Sequence, residues 1–99
     1  MGRAENSIEQ YLVTQAEKEN FLCPKFTSPG TDGVPDRILI GNGCILFVET
    51  KAPGESPRPL QEAVIRLFKQ HGADVRVIDT KGQVDQLILE LKEKQRGVT

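Results

Sequence analysis

Apolar positions along this chain follow two periods, and each change of period marks an element. Across residues 4–18, Ile8, Leu12 and Ala16 recur four apart, with Tyr11 and Val13 widening the stripe, which predicts a helix. Glu5 and Glu9 are also four apart and share a face near its start. Residues 21–26 are short and apolar, and Pro24 within them predicts an edge strand or a bulge. Ser28-Pro29-Gly30 and Asp32-Gly33 then give loop chemistry. Residues 36–40 and 44–48 read as two strands, the second nearly continuous in apolar residues, as a strand covered on both faces requires. Between them Gly41-Asn42-Gly43 supplies the positive-φ positions of a tight hairpin.

Three prolines and a glycine make residues 52–59 a loop. A second helix is predicted over residues 59–70, with Leu60, Val64, Leu67 and Phe68 on its inward side and Gly72 ending it. Val75, Val77 and Ile78 form a fourth strand, and Thr80 with Gln83 makes a capping box. That box opens a last helix carrying Val84, Leu87, Ile88 and Leu91, with a polar, frayed tail from about residue 92. The expected fold is α/β: the first three strands meander, the intervening helix permits a parallel crossover, and the four-stranded sheet is mixed and flanked by helices.

Composition narrows the class without naming a function. The 99 residues suffice for one domain spanning the whole chain around one core, and 37% apolar with 27% charged residues is ordinary for a soluble protein. No apolar run approaches the roughly 20 residues needed to span a bilayer, and the N-terminus lacks a signal peptide's apolar stretch. Cys23 and Cys44 have no CxxC spacing and no set of histidines, which argues against zinc and for packed, reduced thiols in the cytoplasm. A net charge of −1 does not suit a protein that coats nucleic acid. It does not exclude an enzyme whose acidic site offsets basic residues lining one face.

The chemistry gathers at one place. Glu49 and Lys51 are two apart on one strand and point the same way. The hairpin brings the start of the preceding strand, and therefore Asp36, beside Glu49. Two carboxylates suit a hard cation such as Mg²⁺ or Mn²⁺, with the Thr50 carbonyl as a further oxygen. Such an ion polarises a phosphate and lowers the pKa of bound water, and Lys51 would meet developing charge. An isolated D…ExK spacing is more often a turn cap and a surface ion pair. Its position directly beyond an apolar strand favours a site.

Gly33-Val34-Pro35-Asp36-Arg37 followed by Phe47-Val48-Glu49-Thr50-Lys51 resembles the PD-(D/E)xK nuclease signature, and within it the VRR-NUC group of phage and bacterial nucleases. Lys25-Phe26-Thr27-Ser28-Pro29-Gly30, Ser56-Pro57-Arg58-Pro59-Leu60-Gln61 and Gly72-Ala73-Asp74-Val75 fit the same group. The resemblance runs from about Ile8 to Ile78 and implies a restriction-endonuclease-like αβββαβ core. It implies Asp36, Glu49 and the Thr50 carbonyl as metal ligands, Lys51 as the catalytic lysine, and Gln61 facing the site. A glutamate of the first helix adds a ligand in such enzymes, and Glu9 matches better than Glu5.

The resemblance also implies action on structured DNA, including four-way (Holliday) junctions, in a bacterial or phage-infected cell. Paired cuts in a symmetric junction favour a homodimer. Arg37, Arg58 and Lys25 are candidate phosphate contacts beside the site, and Phe26 a base contact. His71 reads as a helix end-cap. The competing readings are a nonspecific or single-strand nuclease, and a nucleic-acid-binding module without activity.

Overall fold

One tight turn sets the sheet. Asn42 (φ 51°) and Gly43 (φ 81°) both take left-handed backbone conformations, as the two central positions of a type I′ hairpin require. The computed structural model describes residues 3–98, with side chains described from 7 to 94. The Asn42-Gly43 turn joins strand β1 (Arg37–Gly41) to strand β2 (Cys44–Thr50). They pair antiparallel, from Gly41 opposite Cys44 to Arg37 opposite Val48. Strand β3 (Val75–Ile78) lies parallel to β2 on its other side, from Phe47 opposite Val75 to Thr50 opposite Ile78. Three helices complete the described residues: α1 (Arg3–Lys18), α2 (Pro59–Gln70) and α3 (Lys81–Val98).

Among the described residues the sheet has three strands, in the order β1-β2-β3, not the four expected. Residues 21–26 run antiparallel beside β1 but meet it only through isolated bridges, Leu22 with Ile40 and Lys25 with Arg37. Pro24 explains the interruption. Leu22 and Ile40 exchange two backbone bonds of 2.8 Å, and Ile38 N–H donates to the Pro24 carbonyl at 3.1 Å. Pro24 has no N–H to return, so the ladder breaks in its middle. The Arg37 guanidinium partly compensates by donating from Nη1 to the Cys23 carbonyl at 2.8 Å.

Strand alternation sends Leu39, Leu46, Val48 and Ile78 into the main core, with Ile8, Leu12 and Ala16 of α1 and Val84, Leu87, Ile88 and Leu91 of α3. Phe21 closes this core at the hairpin end, and its ring lies so close over Gly41 that a Cβ there would overlap it. Tyr11 donates to Asp85 at 2.7 Å, tying α1 to α3. Asn42 donates to the Leu91 carbonyl at 3.0 Å, tying the turn to α3. The Thr80–Gln83 capping box is present: Gln83 N–H donates to Thr80 Oγ1 at 3.1 Å and Thr80 N–H to Gln83 Oε1 at 3.2 Å. Helix α3 then continues to Val98, past the point at which the polar composition predicted fraying.

Helix α2 covers the opposite face, where Phe47 stacks at 5.4 Å against Phe26 and at 5.2 Å, edge-on, against Phe68. The ends of α2 fall where the sequence predicts, but its inward face is turned. Leu60 and Leu67 are 56% and 50% exposed, while Gln61, Val64 and Ile65 are buried. His71 Nδ1 donates to the Leu67 carbonyl at 2.9 Å, consistent with an end-cap. Among the described residues, no helix is long and apolar enough to cross a membrane. Both cysteines are free and half-buried.

Candidate active site

The hairpin register brings the acidic residues together. Continuing the β1–β2 pairing one step beyond Arg37 and Val48 sets Asp36 opposite Glu49. Asp36 Oδ2 accepts two bonds from the other strand, from Thr50 N–H and from Thr50 Oγ1, each at 3.0 Å. The Thr50 hydroxyl therefore helps fix the Asp36 carboxylate, a role the sequence reading did not give it. A β-branched hydroxyl residue between the two site positions of β2 was the available signal.

Glu49 is fully buried, an uncommon state for a carboxylate and one that requires compensation. Lys51 Nζ lies 3.3 Å from Glu49 Oε2, and Lys51 is itself buried. Gln61 Nε2 donates to the same oxygen at 2.9 Å. Gln61 Oε1 in turn accepts from Arg58 N–H at 2.9 Å, where Arg58 is the N-cap of α2 and Pro59 its first residue. One amide thus closes the helix start with its oxygen and touches the site with its nitrogen. This dual bond accounts for the turned face of α2: Gln61 points inward, which moves Leu60 outward.

Glu9 sits apart from this pair. Its Oε2 accepts from Arg37 Nε at 2.8 Å and from Lys25 Nζ at 3.2 Å. Glu9 and Arg37 are mostly buried, at 12% and 18% side-chain exposure, while Lys25 is 63% exposed. The side chain of Glu5, the alternative, lies outside the described residues. Arg58 is exposed at the start of α2. Asp36, Glu49, Lys51 and Gln61 are thus gathered as the sequence reading expected, and Glu9 belongs to a second cluster with Arg37 and Lys25.

Two adjacent carboxylates are a hard-oxygen donor set, which fits Mg²⁺ or Mn²⁺ better than zinc. Among the described residues, no group of three or more His, Cys, Asp and Glu side chains gathers around one point. The Thr50 carbonyl lies between the Glu49 and Lys51 positions, at the end of β2.

A carboxylate pair and a lysine at the ends of two antiparallel strands remote from their hairpin turn, in a mixed sheet between helices, are the hallmarks of the PD-(D/E)xK class. No protein-family model matches the chain. It is 48% identical over 79 residues to the protein named "Putative nuclease p44" of Acyrthosiphon pisum secondary endosymbiont phage 1, covering 78% of this chain and 84% of that one. A solved structure described as a VRR-NUC domain superposes with a TM-score of 0.78 and 32% identity, over 86% of this chain and 94% of its own. The chain belongs to the VRR-NUC nuclease family of the PD-(D/E)xK superfamily.

Proposed function

We propose that this protein is a metal-dependent endonuclease that hydrolyses DNA phosphodiester bonds. The observation that carries this reading is the buried Glu49 carboxylate, held between Lys51 and Gln61 with Asp36 opposite it in register. A fully buried carboxylate with a nearly buried ammonium is costly to retain for stability alone, whereas a reaction that develops negative charge uses both.

Asp36, Glu49 and the Thr50 carbonyl would hold Mg²⁺ or Mn²⁺. When bound, the ion supplies positive charge against the scissile phosphate. Water adds at phosphorus, the bond to the leaving oxygen breaks, and that oxygen takes up a proton. The Lys51 ammonium faces the charge that accumulates on the phosphoryl oxygens as this happens. Gln61, anchored through its own helix cap, restricts the approach of water and phosphate. Thr50 keeps the Asp36 carboxylate oriented before substrate arrives, so that reorganisation costs little. Arg37, Arg58 and Lys25 contact the flanking phosphates.

The preferred substrate under this reading is branched DNA, including four-way junctions, cut by a homodimer. Each chain carries one such constellation, and a symmetric junction needs two. The deciding experiment compares duplex, flap and four-way-junction DNA with Mg²⁺, Mn²⁺ or EDTA, using wild type, Asp36→Asn and Lys51→Ala, alongside gel filtration across concentrations. Metal-dependent cleavage that either substitution lowers at least a hundredfold is expected. Cleavage that persists in EDTA and in both variants would overturn the assignment.

A further inference from the structure

We propose that Glu9 is a positioning residue for a phosphate-binding pair, Arg37 and Lys25, and does not bind the metal. The proposal rests on the nuclease reading above. It goes beyond that reading by assigning a device that fixes how the nucleic-acid backbone lies against the site.

A single Glu9 oxygen joins the two cations, at 2.8 Å to Arg37 Nε and 3.2 Å to Lys25 Nζ. Arg37 is held from a second side by the Cys23 carbonyl at 2.8 Å. Its guanidinium is therefore fixed through Nε and Nη1, and the Nη2 edge makes no hydrogen bond with the described residues. Position links this pair to the reacting centre. Arg37 follows Asp36 in sequence, Lys25 bridges Arg37 across the strand edge, and Phe26 N–H donates to the Asp36 carbonyl at 2.8 Å. A cation pair whose arginine is one residue from Asp36 suits the phosphate next to the scissile one. A pre-set guanidinium loses little conformational freedom on binding it. Among the described residues Glu9 joins no group of three or more metal-capable side chains with Asp36 and Glu49, and its Oε2 is committed to two charge-assisted bonds from a largely buried position.

Glu9→Gln and Glu9→Ala remove the same charge, but only Gln keeps an oxygen that accepts from Arg37 Nε. Their difference therefore reads positioning alone. Affinity for duplex and four-way-junction DNA is measured in EDTA across a salt series. Binding of Mn²⁺ to the DNA-free protein is followed by electron paramagnetic resonance. The expected result is DNA binding at least fivefold weaker in Glu9→Ala than in Glu9→Gln. The salt slope of Glu9→Ala should be shallower by about 0.9, the loss of one phosphate contact. Mn²⁺ affinity should stay within twofold of wild type in both.

Arg37→Lys, which keeps the charge and loses the fork, should reproduce the Glu9→Ala defect if that variant is too unstable to use. The proposal is overturned if Gln and Ala bind DNA alike, if Arg37→Lys binds as wild type, or if Mn²⁺ binding falls tenfold or more in Glu9→Gln. Wild-type protein that binds DNA but never cleaves it would refute the nuclease reading while leaving this comparison intact.

Discussion

Replacing Lys51 with methionine keeps most of the side-chain volume and removes a positive charge 3.3 Å from the buried Glu49 carboxylate. Breaking a buried ion pair from one side costs about 3–5 kcal/mol, because the remaining charge keeps its desolvation penalty. Gln61 still donates to Glu49 in this variant, which favours the lower end, about 3 kcal/mol. For a domain of this length each kcal/mol lowers the melting temperature by roughly 4–8 °C, so a fall of about 12 °C or more is expected. Removing both charges should reverse most of this loss. Glu49→Gln with Lys51→Met leaves two neutral, similarly shaped side chains and should lie within about 1.5 kcal/mol of wild type. The assay is urea denaturation followed by circular dichroism in EDTA, run as a double-mutant cycle on the two positions. The coupling should reach about 2 kcal/mol. A Lys51→Met cost under 1 kcal/mol, additive with that of Glu49→Gln, would refute the claim that the two buried charges sustain each other.

Two further predictions concern titration. Burial pushes the Cys23 thiol up to about 11, with Arg37 pulling it back and Glu9 and Glu17 adding to the rise. In a Cys44→Ser background, alkylation by iodoacetamide at pH 8 should be about a hundredfold slower in the folded protein than in urea, because thiolate is the reacting form; equal rates would contradict the burial. Arg76 bonds to Asp74 at 2.7 Å and to Glu90 at 2.8 Å and holds both carboxyls below their usual range, chiefly by hydrogen bonding. A carboxyl depressed by folding stabilises above its unfolded pKa, about 4, and loses that contribution as the pH falls through its folded value. Both carboxylates are more than a third exposed, so Arg76→Met should cost no more than about 1 kcal/mol at pH 7. The difference from wild type in urea midpoint should shrink below pH 4, and a constant difference from pH 7 to pH 3 would contradict this origin.

Local chemistry made some elements readable from sequence. Gly-Asn-Gly specifies a hairpin because few residues accept positive φ at both central positions, and that turn alone brings Asp36 to Glu49. Pro59 and Gly72 bound α2 for equally local reasons. Features decided by distant partners were harder to read. Residues 60, 64, 67 and 68 and residues 61, 64, 65 and 68 both satisfy a helical period. The choice between them follows from the bond of Gln61 to Glu49, not from hydrophobicity. Residues 21–26 have the composition of a strand and the register of one, yet one missing N–H prevents a continuous ladder. Glu9 and Arg37 are 28 positions apart, and no periodicity relates them.

The two-residue turn at Asn42-Gly43 also acts as a length standard. Each residue added to or removed from it slides β1 against β2, and an odd change also reverses which face each side chain of one strand presents. Asp36 would then meet a neighbour other than Glu49, and Thr50 could no longer hold it. Substitution at the loop is limited by backbone conformation and by the Asn42 bond to Leu91, whereas insertion or deletion disassembles the site six residues away beyond the far end of β1. Among descendants of this sequence the hairpin should therefore vary in spelling while keeping its count.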